Sequence, residues 1–276
     1  MDRLQNMLLD ILVDVDEVLR RHGVRYYIFF GTAIGGVRHK GFIPWDDDID
    51  LCILKEDEEK FLEAMVELDP ETYFFQKRRT DTWHEDFYKV RKNGTTFIEY
   101  TFMGLNFHHG AFIDVFVLHG APERGARKFL YDKLMWAYLK ALGSYYITAG
   151  YPVLERTSLF LERTLYKLVD TFCNVPDSPV IAVRKGKRRV LWKRDSFGEP
   201  KFCEFEGHSF PVPNDVDTAL KVEYGNYMEL PPEEKRVRSH MDVSFIDLDK
   251  DYTEYPVTME DRKKWRKGGI RPINFS

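Results

Sequence analysis

Cysteine is scarce in this chain. The three present, Cys52, Cys173 and Cys203, are odd in number and far apart. They build neither a disulfide framework nor a zinc-binding spacing, and they suit a reducing compartment. Long apolar runs are also missing. The richest stretch, from Phe129 to Ile147, is interrupted by Asp132, Lys133 and Lys140, and nothing approaches the ~20 residues needed to span a bilayer. The first residues lack a signal-peptide core. A soluble, cytoplasmic protein is expected, with room for contact at the inner face of the membrane. Basic charge is not in excess: 41 Lys and Arg stand against 45 Asp and Glu. That balance excludes a global field for nucleic acid and leaves nucleotides to a local patch. Internal repeats and low-complexity segments are absent.

What is present is the composition of a folded enzyme. Hydrophobic residues make up 43% of the 276 and aromatic residues 15%, enough to fill a core and leave rings for a cleft. Leu4, Leu8, Ile11, Leu12, Val15 and Leu19 recur at helical spacing, so Leu4 to Arg21 reads as a helix. Tyr26 to Phe30 reads as a strand ending at Gly31-Thr32, with a short helix over Ala33 to Arg38. A strand is expected over Asp48 to Leu54 and a helix over Lys55 to Leu68. Further strands are expected near Tyr73–Gln76, Phe87–Arg91, Thr96–Tyr100 and Ala111–Val117. From Glu123 to Cys173 the pattern turns helical. Val180 to Arg189 reads as a basic loop, Asp195 to Pro213 as a strand pair, and Asp215 to Tyr224 as a helix. The tail from Asp242 has few periodic cues.

The strongest signal is Pro44-Trp-Asp-Asp-Asp-Ile-Asp50, four carboxylates within five residues at the mouth of an apolar strand. Strand alternation points Asp48, Asp50 and Cys52 to one face and Ile49, Leu51 and Ile53 to the other. Two carboxylates on one face repel unless a cation lies between them, and hard oxygen ligands suit magnesium or manganese. A solvated turn is the plainer alternative. A third acid, Asp114, sits inside the apolar run Ala111-Phe-Ile-Asp-Val-Phe-Val117, where an unpaired carboxylate is costly. Either a salt bridge or metal ligation would relieve it. Together these features describe a nucleotidyltransferase site. Gly31 and Thr32 would offer backbone N–H groups to a donor phosphate, and Asp48, Asp50 and Asp114 would hold the metal. Asp46 or Asp47 would take a hydroxyl proton as general base.

The run Phe30-Gly-Thr-Ala-Ile-Gly-Gly-Val-Arg-His-Lys-Gly-Phe-Ile-Pro-Trp-Asp-Asp-Asp-Ile-Asp50 closely resembles the signature of the LicD family. Tyr88-Lys-Val-Arg-Lys-Asn-Gly-Thr-Thr96 is similar to its middle motif and Gly110-Ala-Phe-Ile-Asp-Val-Phe116 to a later strand. Phe210-Pro-Val-Pro213, Tyr224-Gly-Asn-Tyr-Met-Glu-Leu-Pro-Pro232 and Arg238-Ser-His240 are similar to its C-terminal block. The chain departs from the pattern at Leu118-His119, where many members read Pro and then Asp, and at Asn226, where Asp is common. The resemblance implies an α+β fold: a nucleotidyltransferase-like mixed sheet with flanking helices and a helical insertion. The chain is expected to divide into a nucleotidyltransferase-like catalytic core (1–122), a mostly helical insertion or cap (123–195) and a C-terminal part completing the site (196–276). The resemblance also implies a phosphotransferase that moves a phospho-alcohol, phosphocholine foremost, from a CDP-linked donor such as CDP-choline. The acceptor would be a hydroxyl of a glycan or glycolipid, such as a teichoic acid or lipopolysaccharide precursor, and CMP would be released.

Several basic residues are candidates for the donor phosphates. Arg38 and Lys40 flank the acidic motif, Lys89 and Arg91 share one strand face, and His240 follows a basic stretch. Pairing with nearby acids, or simple solvation, is the alternative for each. The Lys185-Gly-Lys-Arg-Arg189 run would suit a phosphate-bearing acceptor or an anionic membrane. A choline donor would need an aromatic cage, for which Trp83, Tyr88, Tyr100, Phe107, Tyr224 and Tyr227 are available. A sugar-nucleotide glycosyltransferase also uses an Asp-x-Asp metal motif. That motif normally follows a longer doubly wound half, whereas here only one helix, one strand and a turn precede it.

Overall fold

The computed structural model describes residues 1–185, 190–238, 240 and 244–268. Helix α1 (Arg3–Arg21) opens on a capping box in which Asp2 and Gln5 satisfy each other's backbone N–H groups. Its apolar stripe is buried along its whole length. Strand β1 (Tyr26–Ile28) is shorter than its aromatic run suggests. Phe30 takes a left-handed φ of 45°, turning the chain into α2 (Phe30–Ile34). A π-helical turn over Gly35–His39 follows. The expected Gly-Thr turn is therefore the first turn of a helix.

Strand β2 (Asp50–Leu54) begins two residues later than the alternation predicts, leaving Asp48 on the loop that feeds it. The helix expected over Lys55–Leu68 is true α-helix only in α3 (Glu58–Ala64), with 3₁₀ turns at both ends. Then come β3 (Tyr73–Gln76), β4 (Phe87–Lys92), β5 (Thr96–Glu99) and β6 (Phe112–Gly120). Two long helices, α4 (Gly125–Thr148) and α5 (Pro152–Cys173), follow. The segment expected to be a basic loop begins as β7 (Val180–Ala182), and β8 (Trp192–Lys193) pairs with it. Its residues 186–189 lie outside the described part.

A hairpin of β9 (Lys201–Phe205) and β10 (His208–Val212) leads to α6 (Val216–Tyr224), capped by Asp215. The tail then adds β11 (Ser244–Asp247), which pairs with β5, and α7 (Met259–Gly268). Both escaped the sequence reading, because β11 is stabilised by a partner some 150 positions away in the chain and not by its own pattern.

The central strands run in the order β1-β2-β6-β4-β3. The pair β2–β6 is parallel and the other pairs are antiparallel. The far end of β6 carries β7. The two faces of this sheet support two cores. Ile49, Leu51, Ile53, Ile113, Val115 and Val90 pack towards α1 and α3. Cys52, Leu54, Phe87, Phe116 and Leu118 pack towards α4, Trp192 and Phe197. Among the described residues no helix is long and apolar enough to cross a membrane.

Candidate active site

The parallel pairing of β2 with β6 sets Asp50 directly opposite Asp114, and the pairing of β4 with β6 sets Lys89 on the other side of Asp114. Three ionisable residues thus form a row across adjacent strands, which lie about 4.8 Å apart. Lys89 Nζ lies 2.7 Å from Asp114 Oδ1, with both side chains buried. Lys185 reaches the other carboxylate oxygen at 3.8 Å.

Asp46 and Asp48 are brought to this row by the loop before β2. Three contacts hold that loop. Gln5 of α1 donates to the Asp46 carbonyl at 2.9 Å. The Asp46 N–H donates to the Ile43 carbonyl at 2.8 Å. The Asp50 N–H donates to Thr32 Oγ1 at 2.9 Å. Thr32 is thus a buried clamp on the strand entrance. Gly31 has a spatial reason: a Cβ there would lie 2.9 Å from Asp46 Oδ2.

Crowding shows in the electrostatics. Burial, then the Asp48 charge, pushes the Asp46 carboxyl up to about 9. Burial raises Asp48, against the pull of His240. Burial raises Asp50 well above the usual carboxylate range, reinforced by Asp48 and Asp114. Asp46 and Asp48 relieve part of this by sharing a hydrogen bond. Carboxylates that resist ionising together fit a cation, and an all-oxygen donor set fits a hard one.

Asp47 takes a different course. It is almost fully buried and accepts hydrogen bonds from the His240 N–H at 3.0 Å and from its Nδ1 at 3.2 Å. The same ring nitrogen lies 3.4 Å from Asp48 Oδ2. Asp47, Asp48 and His240 are close enough to hold a metal ion between them. Burial lowers the His240 pKa, but the Asp47 hydrogen bond and the Asp48 charge outweigh it and lift the imidazole to about 9. A protonated ring donates, and the neutral ring could ligate a cation beside Asp47 and Asp48. In this arrangement His240 is a counter-charge that ties the C-terminal part to the acidic loop.

A cavity of about 380 Å³ opens over the row, lined by Asp48, Asp50, Asp114, Lys185, Tyr224 and His240. Asp48, Asp50, Asp114 and His240 of the expected residues line it, with Asp46 beside Asp48 and Lys89 beside Asp114. Other expected residues point elsewhere. Asp47, tied up by His240, does not line the cavity. Arg38 donates to the Tyr227 and Glu229 carbonyls and lines a separate cavity with Trp45. Lys40 is exposed and pairs with Glu204 at 3.3 Å, because the β9–β10 hairpin lies against that turn. Arg91 shares a strand face with Lys89 but is sealed beneath the surface. It donates to Gln76 Oε1 at 2.7 Å and to the Gly110 carbonyl at 2.9 Å.

Of the proposed cage aromatics, Tyr88 donates to Glu58, Tyr100 packs near Trp265 and Tyr227 lies in the separate cavity. Trp83 and Tyr224 line the cleft region. Lys185 is the main residue that sequence reasoning did not place here. Its only signal was membership of a basic run, whose remaining residues lie outside the described part. Burial lowers Lys185, but Asp114 and Asp50 outweigh this and hold it above its ordinary value.

Comparison with known proteins supplies an independent line. Residues 23–125 match a family model described as LicD/FKTN/FKRP, nucleotidyltransferase domain. The chain is 26% identical to the lipopolysaccharide cholinephosphotransferase LicD of Haemophilus influenzae over 262 residues, 88% of this chain and 96% of that protein. A 40-residue segment, 14% of this chain, is 50% identical to the ribitol 5-phosphate transferase FKRP of human and of mouse, covering 8% of each.

Proposed function

We propose that this chain, which carries the nucleotidyltransferase domain of the LicD family, transfers a phospho-alcohol from a CDP-linked donor to a hydroxyl of a cell-surface glycan, with release of CMP. Phosphocholine is the favoured group, since the relative similar over most of the chain is named a cholinephosphotransferase. The observation that carries this reading is the row of Asp50 and Asp114 on adjacent strands, with Asp46 and Asp48 beside it. In the transfer, the acceptor oxygen bonds to the phosphorus bearing the alcohol. The bond from that phosphorus to the bridging oxygen breaks, and CMP leaves with it.

Magnesium or manganese held by Asp48, Asp50 and Asp114 would neutralise charge on the phosphoryl oxygens. The other roles belong to side chains. Lys185 stands at the cleft wall as a cation for a donor phosphate, and Lys89 pairs with Asp114 and orients it. Asp46, at the edge of the cluster beside Gly31, accepts the proton of the acceptor hydroxyl. His240 holds the C-terminal part over the site. Catalysis rests on positioning and on fixed charges in a partly dry cleft.

The acceptor is reached at a membrane surface. Along one face of α4, Phe129, Trp136 and Ile147 are exposed with Lys133 and Lys140 between them, and α5 exposes Val153 and Phe160. Exposed rings among lysines suit an anionic bilayer interface. The deciding experiment for the reaction is a donor screen. CDP esters of choline, ethanolamine, glycerol and ribitol are supplied with magnesium and a glycan acceptor, and CMP is measured. Release of a nucleoside diphosphate from sugar nucleotides instead would replace this reading with glycosyl transfer.

A further inference from the structure

A second cavity, of about 440 Å³, adjoins the first and shares Asp114, Lys185 and His240 with it. Its walls differ in kind. Trp83, Phe87, Phe102 and Tyr146 supply aromatic surface, and ring pairs Trp83–Phe102 and Phe102–Tyr146 stand edge to face at 5.7 and 5.2 Å. Two carboxylates, Glu85 and Glu99, line the same space. Neither makes a hydrogen bond or ion pair with another described residue, whereas the neighbouring ammonium groups of Lys89 and Lys185 are committed to Asp114. Burial pushes the Glu85 carboxyl up to about 7, against the pull of Lys185 and Lys89.

The aromatic floor already accommodates a cation. Lys89 Nζ lies 3.3 Å from the Phe112 ring centroid and 5.4 Å from those of Trp83 and Phe87. Aromatic faces beside carboxylates that no described residue hydrogen-bonds favour a cation too bulky and weakly hydrated to be satisfied by hydrogen bonds alone. Gly143 of α4 opens onto the cavity, and a Cβ there would meet nothing within 4 Å.

We propose that this cavity is the subsite for an alkylammonium head group on the transferred alcohol, with Glu85 and Glu99 as its counter-charges and Trp83, Phe102 and Tyr146 as its cage. The inference rests on the transferase reading above and assigns its alcohol specificity to residues outside the metal cluster. The shared wall at Asp114 places the head group one step from the phosphoryl-transfer cleft.

The test measures CMP release from CDP-choline and from CDP-glycerol with the wild type, Glu85→Gln and Gly143→Phe. Saturation-transfer NMR then follows tetramethylammonium binding to the same three proteins. Glu85→Gln keeps the shape of the side chain. Gly143→Phe enters the cavity from a helix position where glycine is unfavourable and a Cβ meets nothing within 4 Å, and a circular-dichroism melt checks that both variants fold. The choline-to-glycerol ratio of kcat/KM is expected to fall about tenfold in Glu85→Gln and further in Gly143→Phe, with loss of the tetramethylammonium signal. Turnover of CDP-choline with an unchanged ratio in both variants would overturn the subsite and leave the transferase reading standing. Absence of CMP release from either donor, with tetramethylammonium bound by the wild type and lost in Glu85→Gln, would overturn the donor reading and keep the cation site. Absence of tetramethylammonium binding to the wild type would overturn the subsite.

Discussion

Asp50→Asn and Asp114→Asn are expected to abolish CMP release alike, yet to move stability in opposite directions. Asp114 is the carboxylate half of a buried pair, with Lys89 Nζ at 2.7 Å. Removing its charge strands an ammonium in the sheet, which costs about 3–5 kcal/mol in comparable buried pairs. Burial already lowers the Lys89 pKa, so discharge of the lysine limits the loss to about 3 kcal/mol, the low end of that range. At about 2–4 °C per kcal/mol for a chain of this size, the melting temperature drops by about 6–12 °C. Among the described residues Asp50 has no ion-pair partner; it feels Lys185 only at longer range and faces Asp114 across one strand spacing. Two full charges about 5 Å apart repel by about 3 kcal/mol at an effective dielectric near 20. The metal-free protein avoids part of this by keeping Asp50 protonated. Asp50→Asn is therefore expected to gain about 1–2 kcal/mol in EDTA at pH 8, a melting temperature about 2–8 °C higher. Magnesium should raise the melting temperature of the wild type and leave that of Asp50→Asn nearly unchanged. Thermal melts by circular dichroism, with EDTA or magnesium, read all of this. If both variants fell alike, or Asp114→Asn melted with the wild type, the charge assignment within the row would be wrong.

Three other expectations follow from the same geometry. Gly31→Ala displaces the Asp46 carboxylate and should cut kcat by about a hundredfold or more with little change in melting temperature, read by CMP release beside a thermal melt. His84, His109 and His119 are buried, and burial, followed by nearby arginines, holds their pKa values below the ordinary range, at about 3 for the first two. Below pH 6.5 the unfolded chain takes up protons that the folded one refuses, so stability is full above pH 6.5 and is lost as pH falls towards 3. For one ring this is about 1 kcal/mol between pH 7 and pH 5.5, so the urea-stability difference between the wild type and His109→Phe should shift towards the variant by about that much, and an unchanged difference would refute the burial of a neutral ring. Trp136→Glu with Lys140→Glu should abolish co-sedimentation with phosphatidylserine vesicles, and retained binding would remove α4 as the membrane face.

Much of the scaffold was legible in the chain because its signals are local. The α1 stripe, the strands β3 to β6 and the hairpin after Asp195 are written in periodicity and turn residues that act over a few positions. The acidic motif was legible for the same reason: four carboxylates at the mouth of an apolar strand demand an explanation wherever the strand goes. Less legible was the fate of single charged side chains. Lys89 and Arg91 have the same alternation and similar chemistry, yet one lines the cleft and the other is sealed against Gln76 and Gly110. Lys40 sits in the signature itself and still faces Glu204.

By itself, then, the order of residues determined an α+β chain with an acidic strand entrance, a glycine-rich approach to it and one acid inside a later apolar run. Tertiary structure alone decided that β2 and β6 lie parallel in the register that opposes Asp50 to Asp114, and that Asp47 turns to His240. It alone set Glu85 among aromatic rings beside the cleft. The reason is range. Periodicity and turn chemistry act between neighbours, whereas strand register, burial and the partner of a charge are settled by residues tens to hundreds of positions away.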